Sequence, residues 1–216
     1  MNCLAIECAT SRRSVAVSAG EGVPAGVAEN ALRSVPLFEM IRQVLETAGV
    51  GRGAVERIAV GLGPGSYTGI RAALAVAEGW RLATGAGLVG CRSTLLVALG
   101  CRRLGRLGSV VIATDAQRGE YYWERFEVGA ERVISSVPLR IGSREALMRD
   151  VGPGVRLVRT HEGILGSEAE TVFPDAADLA VWARGVTGLE GETPMQPIYL
   201  RPTAFVKAPL VRAEGA

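Results

Sequence analysis

Two carboxylates, a single imidazole and a glycine-rich turn are the places where this sequence offers chemistry. Glu7 stands near the end of the apolar run "CLAIECA" and Asp115 near the end of "SVVIATDA". Each is followed by a short arginine-containing turn and a returning apolar run. Carboxylates so placed can face each other across a cleft, as general acid and base or as magnesium ligands; each can equally cap a strand end in a solvated turn. The sole histidine, His161, sits among glycine, arginine and threonine without apolar framing, which reads as a loop residue rather than a metal ligand or a base. Cys8 follows Glu7, and an acid neighbour disfavours the thiolate a nucleophile needs. The four cysteines show no CxxC spacing, and no metal site is expected. In "EYYWERF", Tyr121, Trp123 and Phe126 could form a base-stacking platform or simply pack in the core. No catalytic residue is assigned.

The glycine turn is "GLGPGSYTGIR", residues 61–71. A phosphate-binding Walker loop requires a lysine after its glycines, and none is present here. The dinucleotide fingerprint fails because its third glycine position, counted from Gly63 and Gly65, is Thr68. The nucleophile elbow fails because Pro64 and Thr68 flank Ser66 where it requires glycines. A strand–turn–helix junction remains, with Thr68 as the expected cap. Such a junction can hold an anion at the helix start or be purely structural.

These residues need elements to position them. Strands are expected at 3–9, 14–20 and 23–30, followed by a helix over 35–48 with Ser34 as cap, Pro36 in the first turn and Gly49 at the end. A strand at 57–63, a helix over 68–84, a strand at 87–93 and a helix over 94–104 complete the first half. The pattern restarts with strands at 109–116 and 120–128, so the acid–turn–strand arrangement occurs twice and suggests two related subdomains, 1–104 and 105–216. Residues 129–174 carry little signal beyond a helix near 143–151; another helix is expected over 175–187. Helix 68–84 is apolar over far more than the roughly 100° arc that packing on a sheet requires, and much of that arc is small residues. It is either enclosed or lends a second face to a partner. On this helix Ala73, Ala77 and Trp80 are the candidate partner contacts.

A length of 216 residues with 48% hydrophobic content suits a soluble α/β protein with a substantial core. A net charge of +2 imposes no field demanding nucleic acid or an anionic membrane. No apolar run approaches the ~20 residues of a membrane span. The start of the chain has no basic leader, and a reduced cytoplasmic setting is expected.

The run "VGLGPGSYTGIRAALAVAEGWRLATGAGLVGCRS" resembles the TsaB family, also called YeaZ. Gly63, Pro64, Gly65, Ser66, Tyr67, Thr68, Gly69, Ile70 and Arg71 match its motif one by one. "LAIECATSRRSVAVS", "DAQRGEYYW" and "PIYLR" resemble its opening hairpin, centre and ending. The resemblance implies an actin-like ATPase (ribonuclease-H-like) fold, with two related subdomains, each a mixed sheet flanked by helices. It implies a non-catalytic subunit that pairs with the catalytic paralogue TsaD through helices of the first subdomain, is joined by the ATPase TsaE, and homodimerises when alone. On that reading Met40 and Val44 of helix 35–48 join Ala73, Ala77 and Trp80 as candidate contacts, and Ala77→Arg is expected to break association while sparing the fold. The complex transfers threonylcarbamoyl to the adenosine 3′ of the anticodon in tRNAs reading codons that start with A, so tRNA contact would be indirect. No cofactor is required of this chain, although ATP or ADP could touch it at a subunit interface. Glu7, Thr10 and Asp115 are the candidate nucleotide contacts. Where the family opens Asp-Thr-Ser-Thr, this chain has Glu7-Cys8-Ala9-Thr10, which lacks two hydroxyls near the phosphate position. An ATP-binding kinase or hydrolase of the same superfamily, and a peptidase, are the alternatives.

Overall fold

The computed structural model describes residues 1–20, 22–30, 35–186 and 195–201. The first half runs β1 (Asn2–Glu7), β2 (Arg12–Ala19), β3 (Ala25–Asn30), α1 (Leu37–Ala48), β4 (Arg57–Gly61), α2 (Tyr67–Thr84), β5 (Gly87–Cys91) and α3 (Ser93–Arg103). The second runs β6 (Gly108–Asp115), β7 (Glu120–Val128), β8 (Val133–Ser143), α4 (Arg144–Asp150), β9 (Arg156–Arg159), β10 (Glu170–Thr171) and α5 (Ala176–Gly185). The strand orders are β3-β2-β1-β4-β5 and β8-β7-β6-β9-β10. In each sheet the first three strands are antiparallel and the last two join in parallel. The repeat that is faint in sequence is therefore complete in strand topology, with α1 and α3 matched by α4 and α5. Only α2 lacks a full counterpart: a three-residue 3-10 turn, Gly166–Glu168, stands between β9 and β10.

The segment 129–174, nearly silent in sequence, holds β8, α4, β9 and β10. β8 escaped because it is an edge strand with little burial and a proline at position 138, so its alternation carries weak hydrophobic contrast.

Helices and sheets alternate in layers. α1 and α2 cover the outer face of the first sheet, where Leu4, Ile6 and Val60 meet Met40, Ile41 and Ile70. α3 and α5 lie between the sheets, where Cys3, Ala5 and Val89 share a core with Leu96, Leu179, Ile112 and Phe126. α4 closes the far face, its Leu147 packing with Val111 and Trp123. β1 and β6 are covered on both faces, which is why they read as continuous apolar runs rather than alternating ones. The expected division at 104/105 falls between α3 and β6, but α5 packs back on β1 and β2. Trp123 is 3% exposed, its indole N–H donating to Asp150 at 2.6 Å, and Phe126 is 0% exposed. Those aromatics are core residues, and the base-stacking platform is ruled out for them.

α1 ends at Gly49 in the left-handed conformation, as expected, and starts after Pro36; Ser34 lies outside the described residues. Among the described residues no helix is long and apolar enough to cross a membrane.

Candidate functional site

The motif turn lies between β4 and α2 and is fastened to the β1–β2 hairpin. The Ser66 N–H donates to the Ala9 carbonyl at 2.7 Å. Ser66, not Thr68, caps α2: its Oγ accepts from the Gly69 N–H at 3.2 Å, while Thr68 is exposed one residue inside the helix. The glycines permit contact between backbones. A Cβ at Gly65, where φ is +152°, would lie 2.0 Å from the Ala9 carbonyl oxygen, and one at Gly69 would lie 2.1 Å from that of Cys8. Two amides an anion would use are thus already spent, on Ala9 and on Ser66, which favours the structural role of the turn. Gly63 and Pro64 are buried; Tyr67 is exposed, with the Arg71 guanidinium 5.0 Å from its ring centre.

Below the turn lie two buried carboxylates, Glu7 and Glu124, the second of which sequence reasoning missed. Glu7 is 0% exposed and does not reach the cleft. It accepts from the Ala9 N–H at 2.6 Å and from the Ser93 hydroxyl at 2.8 Å. Ser93 Oγ in turn accepts from the Gly63 N–H at 3.1 Å, and the Ser93 N–H donates to the Gly63 carbonyl at 2.8 Å. Glu7 is therefore a positioning residue for the turn, and its expected place in a nucleotide site is corrected. The next residue, Thr94, donates 2.6 Å to Glu124 of β7, which also accepts from Arg92 and Ser135. Adjacent hydroxyls at the start of α3 thus reach a buried carboxylate in each half.

Burial pushes the Glu7 carboxyl up from 4.5 to about 7, against the opposing pull of the Ala9 and Ser93 hydrogen bonds. The folded chain keeps this proton to higher pH than the unfolded chain does. The associated stability is complete below about pH 4.5 and is lost as pH rises through about 7. Glu7→Gln is expected to lack this component, which amounts to up to about 3 kcal/mol. Urea titrations of both proteins between pH 4 and pH 8 measure it; parallel profiles would contradict the assignment. The Cys8 thiol is likewise pushed up to about 12, first by burial and then by Glu7, which removes it as a nucleophile at neutral pH.

Above the turn, a cleft of about 1190 Å³ opens between the two halves. Thr10, Ser11, Arg13 and the 65–69 turn form one wall; Thr114, Asp115, Gln117, Arg118 and His161 form the other. Of the three nucleotide candidates, Thr10 and Asp115 line this cleft and Glu7 does not. The Thr10 hydroxyl donates to the Arg12 carbonyl at 2.9 Å. Both Asp115 oxygens accept from Gln117, one from its N–H and one from its side-chain amide, each at 2.8 Å. That carboxylate organises its own turn. A magnesium pair made of Glu7 and Asp115 is therefore not assembled, and the described residues hold no cluster of three metal-ligating side chains. His161 is an exposed loop residue at the rim.

Residues 7–160 match the family model described as TsaD, tRNA N6-adenosine threonylcarbamoyltransferase. The chain is 27% identical to the tRNA threonylcarbamoyladenosine biosynthesis protein TsaB of Escherichia coli, covering 93% of this chain and 95% of that one. YeaZ from Pseudomonas aeruginosa superposes with a TM-score of 0.71 at 25% identity, over 92% of this chain and 99% of that one. A second Pseudomonas aeruginosa structure, of an uncharacterized protein with similarity to peptidase YeaZ, gives 0.74 at 25% identity, over 93% and 99%. This chain belongs to that family, on its TsaB (YeaZ) branch. Its fold is that of the YeaZ structures, two mixed sheets flanked by helices.

In this TsaB-family chain, α1 and α2 present surfaces other than the expected ones. Met40, Val44, Ala73 and Ala77 are at most 2% exposed and pack on the first sheet. As partner contacts they are corrected: they hold the helices down. An arginine at Ala77 would bury a charge and destabilise the fold, contrary to the expectation that it would be spared. Trp80 is half-buried and lines a groove of about 280 Å³ with Phe38, Ile41 and Ala83. The over-wide apolar arc of α2 resolves into two faces. One is buried; the other carries Ala72, Ala75, Gly79, Leu82 and Ala83 in the open, with Leu82 78% exposed.

Proposed function

We propose that this chain is a scaffold subunit for tRNA threonylcarbamoyladenosine synthesis. It pairs with a TsaD-like catalytic paralogue, is joined by a TsaE-like ATPase, and homodimerises when alone. The paralogue transfers threonylcarbamoyl to N6 of the adenosine 3′ of the anticodon, in tRNAs reading codons that begin with A. This chain contributes no catalytic group and requires no cofactor of its own; it contacts tRNA only indirectly and acts in the cytoplasm. Any ATP or ADP contact belongs to a subunit interface.

The observation that carries this role is the second, unburied apolar face of α2. Small side chains there allow a partner helix close approach, and Phe38 of α1, 68% exposed, borders the same surface. The ATP-dependent alternative would draw on Glu7 and Asp115, and the hydrogen bonds of both carboxylates favour structural roles. The peptidase alternative finds no support in His161, whose Nδ1 lies 2.8 Å from the Glu162 carbonyl.

The test is reconstitution. TsaD and TsaE from the same organism, a supply of threonylcarbamoyl-adenylate and unmodified tRNA are incubated with and without this chain, and the modified nucleoside is measured by mass spectrometry. Modification is expected only when the chain is present; full modification without it would refute the scaffold role. Ala75→Arg, on the exposed face, is expected to weaken association with TsaD at least about tenfold. The same substitution should change stability by less than about 0.5 kcal/mol.

A further inference from the structure

Residues 195–201 cross the mouth of the cleft and are held at their two ends by different sheets. Met195 and Ile198 pack against the core on the outer face of the first sheet. The Ile198 N–H donates to the Leu62 carbonyl, just past β4, at 3.0 Å. Three residues later the Arg201 guanidinium donates to the carbonyls of Ala116 at 2.9 Å and Gln117 at 3.2 Å, and to the Glu120 carboxylate at 2.5 Å. Ala116 and Gln117 belong to the β6–β7 turn of the second sheet, and Glu120 is the residue that opens β7. Between these anchors Tyr199 and Leu200 are 43% and 38% exposed, so the span is embedded in neither half. The Tyr199 ring meets that of Tyr67 with centroids 5.3 Å apart, which ties the span to the start of α2. Tyr199 and Arg201 both line the cleft.

We infer that residues 195–201 form a strap, rooted in the first sheet and latched to the second by Arg201, whose release frees the β6–β7 turn and opens the cleft along this edge. The two ends differ in kind. The root is buried apolar packing plus a backbone hydrogen bond, whereas the latch is one side chain on a partly exposed turn. The turn that receives it is poised to move. Gln117 at φ 63° and Arg118 at φ 59° are consecutive non-glycine residues in the left-handed region, a costly conformation that persists where surrounding contacts impose it. Segments with few buried contacts open locally at low cost while the core stays closed. Arg201 supplies three charge-assisted contacts to this turn and its exit from outside the hairpin; among the described residues the turn is otherwise held by its own bonds and by the pairing of Glu120 with Ser143. The strap concerns the cleft and not the exposed face of α2, so its failure would leave the scaffold role standing.

Hydrogen exchange on the full chain, resolved by peptide, tests the latch by comparing wild type with Arg201→Ala. Amides of residues 115–120 are expected to exchange about tenfold faster or more, the effect of losing charge-assisted hydrogen bonds. Trypsin should cut after Arg118 faster by a similar factor, while β1, β4 and β6 keep wild-type protection. Unchanged exchange and cleavage at the turn would overturn the latch. Loss of protection in β1 and β4 would overturn it equally, because Arg201 would then be holding the whole fold. All three contacts come from one nitrogen, Nη2, and a lysine ammonium is likewise a single cationic nitrogen with several donors, so Arg201→Lys is expected to recover most of the protection lost in alanine. Exchange in the lysine variant as fast as in alanine would reject a cationic donor as the latch.

Discussion

Gly65→Ala is expected to lower stability by about 4 kcal/mol, combining overpacking with an unfavourable backbone conformation. The added Cβ would stand 2.0 Å from the Ala9 carbonyl oxygen and 2.9 Å from its carbon. Both are backbone atoms, so relief requires moving the β1–β2 hairpin, whose six residue pairs anchor the first sheet. The displaced Ala9 would also give up its bond from the Ser66 N–H, and α2 would lose its launch point. Gly79 is the internal control. It lies within α2, which Gly65 precedes, and a Cβ there meets nothing within 4 Å. Gly79→Ala is expected to raise stability by about 0.5–1 kcal/mol through helix propensity alone. Urea denaturation of the isolated chain compares the two. Similar effects at both positions would mean that close approach to Ala9 does not govern the turn.

Glu124→Ala is expected to cost about 3 kcal/mol, because a buried carboxylate with three donors is removed and the donors remain. The Thr94 hydroxyl, 1% exposed, loses an acceptor 2.6 Å away, and Ser135 loses one at 2.8 Å. The Arg92 guanidinium loses the anion it faces at 2.8 Å. Since Glu124 belongs to β7 and Thr94 to α3, the loss falls on the junction between the halves. Glu124→Gln, which keeps the shape and one acceptor, is expected to cost less than half as much. A double-mutant cycle with Thr94→Val should give a coupling of about 1 kcal/mol or more. Additive costs would show that the two residues act separately, and the junction would then rest on apolar packing alone.

The two halves of the chain were legible to different depths. β1, β4 and β6, covered on both faces, announce themselves as unbroken apolar runs, and α1 shows its period and its terminal Gly49. The nine-residue turn, which depends on residue types at fixed positions, was readable down to the family it belongs to. Those properties are local, and local patterns survive in a one-dimensional string. β8 was not legible, because an edge strand that buries little has little apolar contrast to show. The roles of Glu7 and Asp115 stayed open in the sequence for a related reason: a carboxylate at a strand end looks the same whether it faces a cleft, a serine 86 residues away, or its own turn. Likewise, small apolar residues on α2 cannot say which of two faces meets the sheet. Only the tertiary structure decided that Ala73 and Ala77 are inside while Ala72 and Ala75 are outside. That choice depends on the angle at which Gly65 and Gly69 let the helix lie against the hairpin, and so on contacts between segments far apart in the chain.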